Sequence, residues 1–284
     1  MWARIRTYSA FVRISHTVFA LPFALVGGLL AMRHVGFAWS RVIWIAACMV
    51  AARSAAMGFN RLVDARFDAR NPRTAMRELP AGRMSVREAW VFVVAASAAF
   101  IACTIPLGAT CVALAPVALA IVFWYSLAKR VTTYTQAFLG LAMAVAPIGG
   151  WLAAGAPLGV EPLLLGLAIG SWVAGFDILY ACQDLDVDRR EGLHSIPVRF
   201  GIRRSIAISR ALHVVTILAL AAVGARESLG PVYFGGVVAV AGLLAWEQSL
   251  VSADDLSQVK RAFDLNGWVG LLYFATTTAA VYWR

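Results

Sequence analysis

Apolar residues fall in long uninterrupted runs, at about 18–32, 42–60, 88–106, 111–128, 134–154, 161–182, 205–224, 231–251 and 266–283. A helix needs about 20 mostly apolar residues to cross a bilayer. The runs are apolar on every side rather than along one stripe, as lipid-embedded helices are. The pattern predicts nine transmembrane helices in a single all-α integral membrane domain over 1–284. Connectors at 107–110, 155–160 and 225–230 contain Gly or Pro and read as tight turns. Ser85, with Glu88 three residues later, reads as a capping box that opens the third helix.

Composition agrees with this picture and removes others. The 284 residues are 61% hydrophobic and only 14% charged. Soluble proteins run nearer 45–50% and about 25%. Large soluble domains do not fit, and neither does disorder. Cys48, Cys103, Cys111 and Cys182 show no metal or disulfide spacing and read as small core residues. The basic-then-apolar start has no small-x-small cleavage site before Arg33-His34, so it reads as a first span rather than a removable leader.

Net charge is +10, which suits either nucleic acid or a membrane protein with a basic cytoplasmic face. Its location decides between them. With the N-terminus cytoplasmic, the cytoplasmic segments are 1–17, 61–87, 129–133, 183–204 and 252–265. These, with Arg210 just inside the next span, hold 20 of the 25 basic residues. Arg33, Arg41, Arg226 and Arg284 fall on the other side, and Arg53 lies within a span. That asymmetry is the positive-inside signature. It argues for a lipid bilayer as partner and against nucleic acid.

The acidic residues are scarce, and six of the fifteen form two clusters. The first is Asn60-x-x-x-Asp64-x-x-x-Asp68, whose spacing of four puts all three on one helical face. In the second, Asp177, Asp184 and Asp188 have offsets of seven and eleven, which also share a face, while Asp186 points elsewhere. Both clusters end an apolar helix on the basic side. Like charges four apart repel, and carboxylates at a membrane boundary are costly unless partnered. Two solvated helix ends are the plain reading. A shared counter-ion is the functional one, since carboxylate and amide oxygens suit Mg²⁺, and Mg²⁺ is commonly held with substrate phosphates. Nearby arginines match phosphate oxygens. Together they suggest a lipid diphosphate gripped through magnesium. An ion pathway is the alternative from another class, although transporter ion sites lie near mid-bilayer rather than at one face. Arg53 precedes Asn60 by seven residues, about 10 Å deeper, and Asp177 precedes Asp184 by seven. Both are expected to face one polar cavity and bind an acceptor, or to form a structural ion pair. His16 would lie at the mouth of the first helix, where an interfacial role is the plain reading.

At these residues the chain resembles the UbiA family of membrane aromatic prenyltransferases. GFNRLVDARFDARNPRTAMRELPAG (58–82) is similar to the family's N-x-x-x-D-x-x-x-D signature and the basic loop after it. GFDILYACQDLDVDRREGLHSIPVRFG (175–201) is similar to its second Asp-rich motif, and YSLAKR (125–130) to the end of its fourth helix. Glu78 departs from the pattern, because the loop there often has proline. RISHTVFALPFAL (13–25) and the second motif look most like bacterial 4-hydroxybenzoate polyprenyltransferase-like members.

The resemblance implies a nine-helix bundle with its active site facing the cytoplasm, capped by loops 61–87 and 183–204. It implies Mg²⁺ at Asn60, Asp64 and Asp68 and at Asp184 and Asp188, gripping a polyprenyl diphosphate donor. Arg66, Arg73, Lys129 and Arg130 would contact the diphosphate. Tyr125 would steady an allylic carbocation with its ring face, or serve simply as an interfacial anchor. The acceptor would be an aromatic acid: 4-hydroxybenzoate, or a dihydroxynaphthoate in menaquinone synthesis. Arg53, Asn60 and Asp177 would hold it.

Overall fold

A computed structural model describes residues 7, 8, 11, 17–72 and 74–282 of the chain. It is all-helical. The helices are α1 (Thr17–Val35), α2 (Trp39–Asp68), α3 (Val86–Thr104), α4 (Ala109–Ala128), α5 (Thr135–Ala153), α6 (Val160–Ala181), short α7 (Leu185–Arg190), α8 (Ile196–Arg226), α9 (Pro231–Ser249) and α10 (Val259–Tyr282). Among the described residues, nine helices have 19 residues or more. The capping box forms: Ser85 Oγ accepts the Glu88 N–H, and the Glu88 carboxylate accepts the Ser85 N–H at 2.9 Å.

Six of the helical segments are long and apolar enough to cross a membrane: Trp39–Asp68, Val86–Leu107, Ala109–Ala128, Thr135–Ala153, Val160–Arg190 and Ile196–Arg226. The chain is a multi-pass membrane protein. The expectation of nine spans is met by six segments on these grounds. In α1 only Leu21–Val35 forms a described apolar stretch. α9 and α10 are diluted by polar residues, several of which pair inside the bundle. Asn266 donates to Glu247 Oε1 at 3.1 Å and accepts from Trp172 Nε1 at 2.7 Å, and the Tyr233 and Tyr273 hydroxyls lie 2.9 Å apart. The expected cytoplasmic N-terminus, Arg4, Arg6, Arg13 and His16 lie outside the described residues.

Helices pack through small residues, as bilayer helices do. A Cβ on Gly27 would sit 2.1 Å from the Pro147 carbonyl oxygen, and one on Gly150 would sit 2.0 Å from that of Ala24. α1 and α5 therefore touch backbone to backbone. α6 is the central helix, packed most extensively against α8 and α5, and thirteen of its residues are buried.

The two ends of the bundle differ chemically. At one, Arg33 Nη1 and His34 Nε2 close on the buried Glu227 carboxylate at 3.1 and 3.0 Å, and Arg226 pairs with Glu161 at 2.7 Å. The other end carries both Asp clusters.

Two boundaries differ from expectation. α2 continues eight residues past its apolar run, to Asp68, so the first acidic face is helical throughout. The second cluster does not lie on one continuous helix. α6 stops at Ala181, a single 3₁₀ turn spans Cys182–Asp184, and α7 restarts at Leu185. Offsets of seven and eleven therefore do not describe it. The break itself turns Asp184 and Asp188 toward the same cavity as Asp177. Asp186 is exposed, away from that cavity.

Candidate active site

A polar cavity of about 270 Å³ opens where α2, α4 and α6 end. Asn60, Asp64 and Asp68 line one wall. Asp177, Tyr180, Asp184 and Asp188 line another. Between them stand Tyr125, Ser126 and Lys129 at the end of α4. The loop after α2 adds Asn71, Thr74 and Arg77, and the segment before α8 adds His194 and Ser195.

Cations already compensate the first acidic wall. Lys129 Nζ lies 3.5 Å and Arg130 Nη2 3.1 Å from the Asp64 carboxylate. Arg130 Nη2 also donates to the Val63 carbonyl. Asn60 Nδ2 donates to Asp64 at 3.2 Å and to Ser126 Oγ at 3.4 Å. Arg77 Nη1 lies 2.7 Å from both oxygens of Asp68. Asp64 and Asp68 are 5% and 7% exposed, so removing either set of partners would strand a buried charge. Lys129 and Arg130 are held in turn by the face of Phe67, 6.0 and 5.3 Å from its ring centre.

The facing wall is tied to the end of α4 and the start of α5. The His194 N–H donates to the Lys129 carbonyl at 2.7 Å, and the Ile196 N–H donates to Oε1 of the buried Gln136 at 3.2 Å. Arg70 reaches Glu191 at 2.9 Å across the mouth.

Directly below lies an apolar cavity of about 320 Å³ between α2, α4 and α5. Ile121 and Val122 line it one turn before Tyr125 and Ser126 line the polar one. Met49 and Ala52 line it on α2, ahead of Asn60. A charged, metal-compatible chamber thus sits over a hydrocarbon-lined one, which fits a molecule with an anionic head and an apolar tail.

Three expectations change. Arg66 is exposed and lines no part of the cavity. It is two residues from both Asp64 and Asp68, about 200° around the helix, so it cannot share their face. Arg53 does not line the polar cavity beside Asp177 as expected; it lies deeper, and its Nε is buried without a hydrogen-bond partner. Arg73 lies outside the described residues. Arg77, Ser126 and Gln136 were not singled out from the sequence. Arg77 meets Asp68 across a loop, which helical spacing does not reveal, and Gln136 sits at the start of an otherwise apolar helix.

As to metal, no group of three or more His, Cys, Asp or Glu side chains among the described residues forms a ready-made site. The donors that line the cavity are carboxylate and amide oxygens on two walls. That set fits Mg²⁺, which takes one or two carboxylates and completes its shell with water and phosphate.

The sequence profile of the UbiA prenyltransferase family matches residues 20–274. The chain belongs to the UbiA prenyltransferase family. A relative described as 4-hydroxybenzoate octaprenyltransferase from Pseudomonas aeruginosa (strain UCBPP-PA14) is 32% identical over 231 residues, covering 81% of this chain and 78% of its own. One of the same description from Pseudomonas entomophila (strain L48) is 34% identical over 236 residues, covering 82% and 78%. Among solved structures, the apo UbiA homolog from Aeropyrum pernix K1 superposes with a TM-score of 0.86 at 35% identity, covering 94% of this chain and 98% of that one. A UbiA homolog from Archaeoglobus fulgidus bound to GPP and Mg²⁺ shares the fold, with a TM-score of 0.73 at 20% identity. This UbiA chain is therefore a prenyltransferase, and the ion-transport alternative falls away. At the departure from the family loop, the Glu78 side chain is buried, 3.7 Å from Arg83.

Proposed function

We propose that this prenyltransferase moves a polyprenyl group from polyprenyl diphosphate to 4-hydroxybenzoate, forming a C–C bond ortho to the phenol hydroxyl. The observation that carries the reading is the stacking of the two cavities: acids and cations above, hydrocarbon below, Tyr125 at the junction. The relatives described as 4-hydroxybenzoate octaprenyltransferases support the acceptor.

Asn60, Asp64, Asp68, Asp184 and Asp188 would hold Mg²⁺. Bound there, Mg²⁺ would neutralise charge on the departing diphosphate. The protein's own part can be assigned residue by residue. Lys129, Arg130 and Arg77 now neutralise Asp64 and Asp68. They turn to the diphosphate oxygens when the donor arrives, with Arg73 as a further contact. The apolar cavity takes the tail and excludes water from the reacting carbon. As the C–O bond to diphosphate breaks, Tyr125 presents its ring to the allylic cation. Asp177, on the wall facing Asn60 and Asp64, orients the phenol. The ring carbon then bonds to the prenyl carbon, and its proton passes to the released diphosphate as the ring regains aromaticity.

In this reading all nine long helices cross a bacterial inner membrane. The N-terminus and the site face the cytoplasm, and loops 61–87 and 183–204 close over it. A panel of aromatic acids, with products identified by mass spectrometry, tests the acceptor. The ortho-prenylated 4-hydroxybenzoate should dominate. A product from dihydroxynaphthoate alone would move the protein to menaquinone synthesis.

A further inference from the structure

Helix α8 carries a charged stripe that the chemistry above does not use. Its buried face is set by Ser205, Ser209, His213, Thr216, Leu220 and Val223. Its outward face, spaced by three or four residues, runs Arg203, Ala207, Arg210, Val214, Leu218, all exposed. Val214 and Leu218 are 59% and 65% exposed, so this face looks into lipid. Arg204 is exposed beside it. Among the described residues, none of Arg203, Arg204 and Arg210 lies within ion-pair distance of a carboxylate.

Depth along the helix places these charges. α8 ends at Arg226, which pairs with Glu161 at the far end of the bundle. At 1.5 Å per residue, Arg210 lies about 24 Å and Arg203 about 35 Å from that end. The hydrocarbon core is about 30 Å thick. Arg203 and Arg204 therefore stand among lipid headgroups. Arg210 stands just below them, within reach through its flexible stem.

We propose that Arg203, Arg204 and Arg210 form a binding site for the phosphate of an anionic phospholipid in the leaflet on the side of the acidic cavity. Guanidinium groups match phosphate oxygens bidentately, and among the described residues no carboxylate competes. Acyl chains lie along Val214 and Leu218. The site anchors the segment of α8 that follows the kink at Gly201, where φ is 77°, and the short stretch before the kink leads back to Ser195 in the cavity wall.

The experiment is native mass spectrometry of the purified full chain with equal phosphatidylglycerol and phosphatidylcholine. The wild type should retain phosphatidylglycerol preferentially, and 1 M salt should weaken that retention. The triple variant Arg203→Gln, Arg204→Gln, Arg210→Gln should lose the preference by about tenfold or more. Equal retention of the two lipids by the wild type would overturn the proposal, as would an unchanged preference in the variant. Stronger capture of soluble polyglutamate than of phosphatidylglycerol vesicles would assign the stripe to an acidic protein and also overturn it. If the variant fails to fold, the salt dependence of the wild type decides.

Discussion

Arg77 Nη1 sits 2.7 Å from both carboxylate oxygens of Asp68, nine residues back along the chain. The pair closes the loop after α2 over the acidic wall, and Thr74 Oγ1 secures the same turn by donating to the Asp68 carbonyl at 3.0 Å. In the proposed reaction, Arg77 is both a placeholder for positive charge and a ligand for the incoming diphosphate. Arg77→Ala should raise the donor KM by at least about tenfold and cost stability by about 1–3 kcal/mol, the range for a stranded buried acceptor. Arg77→Lys should restore stability better than KM, because an ammonium lacks the fork. Steady-state kinetics and a melting curve check both.

Asp64 and Asp184 stand on different walls, and each should be indispensable. Asp64→Ala or Asp184→Ala should lower turnover by about 10²–10³, the scale on which lost transition-state charge stabilisation is felt. Asp64→Ala takes the partner from Lys129 and Arg130, but those side chains are 31% and 29% exposed and water can solvate them, so the protein should stay folded. Retained activity in both variants would remove the acidic walls from the mechanism.

Gln136 is buried and accepts the Ile196 N–H. Gln136→Leu leaves that N–H without a partner and should lower the melting temperature, with a stability loss of about 1–3 kcal/mol. Gln136→Glu keeps an acceptor in place and should recover the loss only under acidic conditions that keep its carboxyl neutral, since an ionised carboxylate at this buried site costs more than the hydrogen bond returns. Equal behaviour of the two variants under those conditions would show that packing, not the hydrogen bond, holds the cavity wall.

The apolar cavity sets what tail is accepted. Ala118 lines it on α4. Ala118→Phe should reduce turnover of a long polyprenyl diphosphate severalfold while sparing a geranyl donor. A parallel loss for both donors would move the tail elsewhere.

Much of this was legible in the sequence because it is local. The Asn60–Asp64–Asp68 face follows from helical periodicity, and the Ser85–Glu88 cap follows from its spacing. Other features depend on contacts between distant elements. The break after Ala181 has no Gly or Pro to announce it. Helical spacing alone puts Arg66 behind the Asn60–Asp64–Asp68 face, whereas Arg77 meets Asp68 across a loop that spacing does not describe. Arg53 lies on the predicted helix, yet seven residues of depth carry it below the polar chamber. α9 and α10 look weakly apolar because Glu247, Asn266 and Tyr273 find partners inside the bundle.

The most direct measurement combines purified protein, octaprenyl diphosphate, 4-hydroxybenzoate and Mg²⁺, with the product read by mass spectrometry. The account predicts 3-octaprenyl-4-hydroxybenzoate. That product should disappear on chelation of Mg²⁺ and in Asp64→Ala and Asp184→Ala. Absence of a prenylated product from every aromatic acid tried, or undiminished product after chelation, would contradict it.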